Sequence, residues 1–201
     1  MERLLGDYFM KLYRGTKEAG LKVMKPRMVN HDIPYVYATS DKNEAIMYSV
    51  KGGNLIYTNV YGYDDDGKRC LIERKENSLE KIFNVEGRYY ILDDKNFVKH
   101  NEIGVGDNEY VSSVDVDVIE EVSIPNVLDY YTELEKNGEF KIYRYPDRPS
   151  SYPKDDSDLI ECAKLMYEQM GNFDMAFGLL LMHHPEMKDK VENIRKENLS
   201  K

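Results

Sequence analysis

Residues 11–20 read KLYRGTKEAG. Tyr8, Phe9, Met10, Leu12 and Tyr13 favour a strand on the way in, because aromatic and apolar side chains fit a pleated, half-buried surface. The run then stops in Arg14, Gly15 and Thr16: a cation, a residue without a Cβ and a hydroxyl. Two readings are open. The triplet is an ordinary sheet edge, or it is the lip of a pocket for an anionic ligand.

Working outward, residues 1 to about 146 predict strands with short helices. Strands are expected over 8–14, 35–38, 55–61, 69–73, 88–92 and 110–124, separated by Gly, Asn and Asp clusters. YDDDGK at 63–68 reads as a hairpin turn, since it lacks the alternating ligands and terminal Glu of a calcium loop. After Thr39, Ser40 or Asp41 can cap a short helix, with Glu44 completing the box and Ile46, Met47 and Val50 on one face. Further helices are expected at 78–85 and behind Pro125, where Val127, Tyr131 and Leu134 recur at helical spacing before Asn137-Gly138. A last strand follows in EFKIYRY.

PDRPSSYPKDDSD (146–158) reads as a linker. Beyond it the pattern is helical. Asp158 and Glu161 form a capping box, and Leu159, Ala163, Met166, Tyr167 and Met170 make an apolar stripe. Gly171-Asn172 interrupts it, a second apolar helix covers 173–182, and Pro185 opens a third with Met187, Val191 and Ile194. The expected organisation is an α+β domain over 1–147 and a linker with a small helical tail over 148–201. The tail is expected to pack back on the domain or on a partner, including a second copy.

Composition narrows the function classes. The chain has 201 residues, 41% of them hydrophobic, enough for a buried core. A net charge of −9 weighs against a nucleic-acid partner, which clustered Lys and Arg would hold. It leaves room for a small anion gripped by one or two local cations. No stretch approaches the roughly 20 apolar residues of a membrane span, and MERLLGDYFM carries acidic residues where a signal peptide would be apolar. Cys70 and Cys162 are far apart in sequence, which fits a reducing cytoplasm better than a disulfide framework. His31, His100 and the pair His183-His184 have no spacing that closes a zinc site. No metal is expected.

Three stretches share an order along the chain. LYRGT ends the first strand, YVYATSDKNEAI delivers Tyr35 and Tyr37 to a helix start, and NEYVSSVDV places Glu109 at the opening of a long alternating strand. In that order they resemble the motifs of the ADP-ribosyltransferase superfamily, the NAD-using transferases of the diphtheria-toxin, poly(ADP-ribose) polymerase and rifampin-modifying type. The resemblance covers about residues 8 to 124. It implies a split mixed β-sheet and NAD as substrate, with Glu109, Tyr37 and Arg14 as the catalytic set. Arg14, Gly15, Thr16, Tyr35, Tyr37 and Ala38 would contact the dinucleotide.

The implied chemistry has a physical logic. Loss of nicotinamide passes through a cationic, oxocarbenium-like sugar, which Glu109 would stabilise. Tyr37 would stack on nicotinamide and Arg14 would hold ribose or pyrophosphate oxygens. Gly15 would let the ligand approach the backbone, and Thr16 would donate a hydrogen bond. Position 14 carries Arg where one branch has His, and Ser112-Ser113 follow Glu109 rather than precede it. A module that binds NAD or ADP-ribose, or a protein, without turnover is the alternative on the same fold.

Overall fold

The computed structural model describes residues 10–28, 33–50, 55–99 and 108–199, without the side chains of residues 55, 56, 169, 170 and 199. The expectations for Tyr8, Phe9, His31, His100 and the Met170 side chain lie outside the described residues. In chain order the elements begin with β1 (Leu12–Gly15), β2 (Val23–Met24), β3 (Val36–Thr39), α1 (Lys42–Met47) and α2 (Leu55–Thr58). Next come β4 (Asn59–Tyr63), β5 (Arg69–Glu73), α3 (Ser78–Phe83), β6 (Gly87–Leu92) and β7 (Val98–Lys99). Then follow β8 (Glu109–Ser112), β9 (Val116–Ile124), α4 (Val127–Lys136) and β10 (Lys141–Tyr143). Three helices close the order: α5 (Asp158–Met170), α6 (Phe173–His183) and α7 (Lys188–Leu199). The arrangement is α+β, with a large antiparallel sheet and C-terminal helices.

The contacts divide the chain into two units, Met1–Lys51 with Phe83–Tyr130, and Gly52–Ile82 with Tyr131–Lys201. The boundary expected near residue 147 is not where they part. The C-terminal helices share their unit with α2, β4 and β5.

The first unit is built on a seven-stranded sheet in the order β2-β9-β6-β1-β3-β8-β7. β1 pairs β6 through four residues and β3 pairs β8 through four. Between β1 and β3, however, one pair is formed, Tyr13↔Thr39. The sheet is therefore two ladders joined at a point. Period-2 alternation sends Leu12, Val36, Ala38, Tyr90, Leu92 and Val116 to one face, where they form a buried cluster with Met24. On the reverse face α1 packs against β1 and buries Ala45, Ile46 and Met47. The Asp41 carboxylate starts that helix by accepting the Asn43 and Glu44 amides at 2.9 and 3.2 Å.

The long strand expected over 110–124 is broken. Ser112 Oγ donates to the Val114 carbonyl at 3.1 Å and accepts the Val114 amide at 3.3 Å. That tight turn ends β8 and starts β9, so the two halves pair with different strands, β3 and β6. The β6–β9 register also skips a residue: Ile91 faces Glu120 while Leu92 faces Val118, leaving Ile119 as an exposed bulge.

In the second unit β10 runs parallel to β5, which forms the expected hairpin with β4. Asp64 holds that turn, its carboxylate accepting the Asp66 and Lys68 amides, with Gly67 at φ 74°. The strand expected from 55 begins only at Asn59, because β5 ends at Glu73, opposite Asn59. Among the described residues no strand lies opposite 55–58, which close a helical turn on themselves instead. That turn delivers Tyr57 to a cluster with Leu159, Ala163, Ala176, Phe177, Leu180, Met187 and Val191. Met166 and Tyr167 pack against the cluster half-buried, as their stripe implied. The capping box expected at Asp158 is absent: Ser157 precedes α5 without a side-chain bond, and the Asp158 carboxylate is engaged by the buried Arg74. His184 is structural, its ring bridging the Tyr57 carbonyl at 2.6 Å and Glu186 at 3.0 Å.

Candidate anion-binding cleft

β1 presents Leu12 and Arg14 on the same face, and the chain leaving β1 crosses back over that face. Residues 16–28 are fastened along their length. β2 pairs with β9 through Val23↔Asp117 and Met24↔Val116, and Arg27 exchanges main-chain bonds with Tyr35 at 3.0 and 3.2 Å. Between these, the Gly20 amide donates to Glu121 Oε2 at 2.8 Å. The buried Tyr90 hydroxyl donates to the Glu18 carbonyl at 2.7 Å and accepts the Leu21 amide at 3.4 Å. A cleft of about 250 Å³ is left under the segment. Its polar lining is Arg14, Thr16, Glu18, Lys25 and Arg27, against the apolar Leu21, Val23 and Met24.

Arg14 is the deepest of these cations. Its Nη1 donates to the Tyr37 carbonyl at 2.8 Å, across the gap where β1 and β3 no longer pair. Among the described residues no carboxylate is within ion-pair distance of it. A guanidinium has five N–H donors, so most of the fork has no acceptor among the described residues. Burial lowers the Arg14 pKa and the Arg27 charge adds to this, while Glu18 and Tyr37 act in the opposite direction. Arg27 differs: its two Nη atoms meet both Glu18 oxygens at 3.0 Å. That pairing raises the Arg27 pKa and lowers that of Glu18. Three cations face one carboxylate, so the cleft carries a local excess of positive charge in a chain of net charge −9.

The residues expected to form one site are distributed over both faces of the sheet. Arg14 and Thr16 line the cleft. Tyr37 meets Arg14 with its main-chain carbonyl, and its phenol acts on the Arg14 charge as well. Its ring belongs to the reverse face, because Val36 and Ala38 on either side of it are in the core cluster. Glu109 pairs with Thr39, which itself pairs with Tyr13, so Glu109 follows Tyr13 to the reverse face. There Thr39 Oγ1 donates to Glu44 Oε2 at 2.8 Å. Tyr35 stands edge-on to Tyr37 with ring centroids 6.0 Å apart. Ala38 is 5% exposed and is core.

Gly15 has a different role from the one expected. A Cβ there would run into the Ala45 carbonyl and lie 2.9 Å from the Ser49 backbone nitrogen, so its bareness admits α1, not a ligand. The sequence reading missed Glu18, Lys25 and Arg27. The available signal was the clustering of Lys17, Lys22, Lys25 and Arg27 directly after the Arg-Gly-Thr triplet of an acidic chain.

No family model, curated protein or solved structure matches the chain. Elsewhere among the described residues, no group of three or more His, Cys, Asp or Glu side chains could hold a metal ion, and no helix is long and apolar enough to cross a membrane. Burial pushes the pKa of the Cys70 thiol up to about 12, the opposite of the lowered pKa that activates a cysteine.

Proposed function

We propose that the protein binds a small phosphate-bearing ligand of the NAD or ADP-ribose class, with the anionic segment held in the cleft by Arg14. The observation that carries this reading is the half-buried guanidinium whose donors are mostly without acceptors among the described residues. A desolvated cation of this kind is stabilised by a bound anion, and Arg matches phosphate oxygens two at a time. The cleft is smaller than the roughly 300–1,000 Å³ usual for small-molecule sites. It suits one phosphate-bearing segment of a ligand, with the remainder outside.

The order of the LYRGT and YVYAT motifs, and the sheet that parts between β1 and β3 beside Arg14, support placing this module on an ADP-ribosyltransferase-like domain. Turnover of NAD, by transfer to an acceptor or by glycohydrolysis, is the second reading and rests on the same two features. It requires a carboxylate facing the sugar as positive charge develops. Glu109 does not share a face with Arg14, so binding without turnover is the reading the geometry favours.

Calorimetric titration with ADP-ribose and NAD tests the proposal. Wild type should bind, and Arg14→Ala should weaken binding about ten- to a hundredfold, the worth of a hydrogen-bonded charge. Unchanged affinity in a folded Arg14→Ala variant would reject the site. Release of nicotinamide by wild-type protein would promote the second reading over the first.

A further inference from the structure

We infer that Glu18 is a built-in counter-ion of the cleft, which an incoming anion displaces from Arg27, so that Glu18 sets how tightly and how selectively anions are held. This rests on the anion-binding reading above. The Arg27–Glu18 contact is bidentate, Nη1 to Oε1 and Nη2 to Oε2, both at 3.0 Å. A phosphate offers the same fork two oxygens at similar spacing, so ligand and Glu18 compete for one set of donors. The carboxylate also acts on Arg14, whose pKa it raises. One internal anion thus damps both arginines of the cleft.

Two features make the exchange easy. The Arg27 and Glu18 side chains are 60% and 48% exposed, and ion pairs that wet are weak. The Glu18 main chain is anchored, its carbonyl on the Tyr90 hydroxyl and its amide on Thr16 Oγ1 at 3.3 Å. Only the side chain has to move; the segment stays. Displacement also discriminates. A monoanion merely replaces one carboxylate by another, whereas a pyrophosphate group brings more charge than it displaces and can engage Arg14 and Arg27 together.

The experiment is calorimetry with inorganic pyrophosphate, acetate and ADP-ribose on wild type, Glu18→Gln, Arg27→Ala and the double variant. Glu18→Gln should bind pyrophosphate and ADP-ribose about five- to tenfold more tightly than wild type, with a smaller gain for acetate. In the Arg27→Ala background the same change should have little effect, because the fork it frees is gone. Binding by Glu18→Gln alone, with none by wild type, would support the inference most directly. Wild-type binding that is unchanged or weakened in Glu18→Gln overturns it while leaving the cleft in place. Failure of every folded variant to bind pyrophosphate or ADP-ribose overturns both readings.

Discussion

Gly15 and Glu109 set the limits of the site at the level of single residues. The backbone of α1 lies where a Gly15 Cβ would be, and a main-chain carbonyl cannot rotate away as a side chain can. Gly15→Ala should therefore cost about 1–3 kcal/mol, the range for overpacking a filled interior, read as a fall in the urea midpoint. Glu109→Gln should leave ADP-ribose affinity within about twofold of wild type, since a side chain on the far face of a sheet has only a weak field at the ligand. A large loss of affinity would mean that Glu109 does reach the cleft. Arg14 and Thr16 were legible in the sequence because a strand ending in Arg-Gly-Thr carries its own chemistry. The face on which Glu109 stands was not. It follows from two cross-strand pairs, Tyr13↔Thr39 and Thr39↔Glu109, and a shift of either by one residue would reverse it.

Elements whose signals are local came through at the next scale. The Asp41 cap of α1, the Asp64 turn between β4 and β5 and the Gly171 stop of α5, at φ 65°, each depend on residues within a turn of one another. Elements decided by what lies opposite did not. Residues 55–58 have strand-forming residues but no partner strand among the described residues, and 110–124 alternates without a break although Ser112 turns the chain. The segment 16–28 belongs to this second group, since its few main-chain bonds are long-range. Tyr90→Phe tests how it is held. Removing one hydroxyl deletes the anchor at the Glu18 carbonyl and the acceptor of the Leu21 amide. The variant should lose about 1 kcal/mol of stability, and amides around residues 18–22 should exchange faster with deuterium. Anion affinity should fall several-fold, because Glu18 and the cations beyond it are no longer fixed against Arg14. Exchange at wild-type rates would show that β2, the Gly20–Glu121 bond and the Arg27–Tyr35 bonds hold the segment without the hydroxyl.

At the scale of the whole molecule, each unit has its own core, and residues from far along the chain complete the second. Leu159, Phe177, Leu180 and Val191 surround Tyr57, and β10 lies beside β5. Ending the chain after Arg148 should therefore strip protection from 69–73 in hydrogen exchange while 88–92 in the first unit keeps most of its own. Equal protection of both stretches before and after truncation would show that the helices are dispensable. The sequence marks the proline-rich stretch at 146–158 as a linker, yet its Arg148 and Asp156 join Arg74 in a buried charge cluster. Composition describes a stretch by itself, and what pins this one is a side chain 82 residues away. The division of the chain also has a consequence for its synthesis. The first unit has all its strands once residue 130 has left the ribosome, but the second must wait for the remaining residues. At about 5–20 residues per second that delay is roughly 4–14 s. Throughout it the β4–β5 hairpin, with Leu71 and Ile72 destined for burial, hangs from a finished neighbour as an uncovered apolar loop.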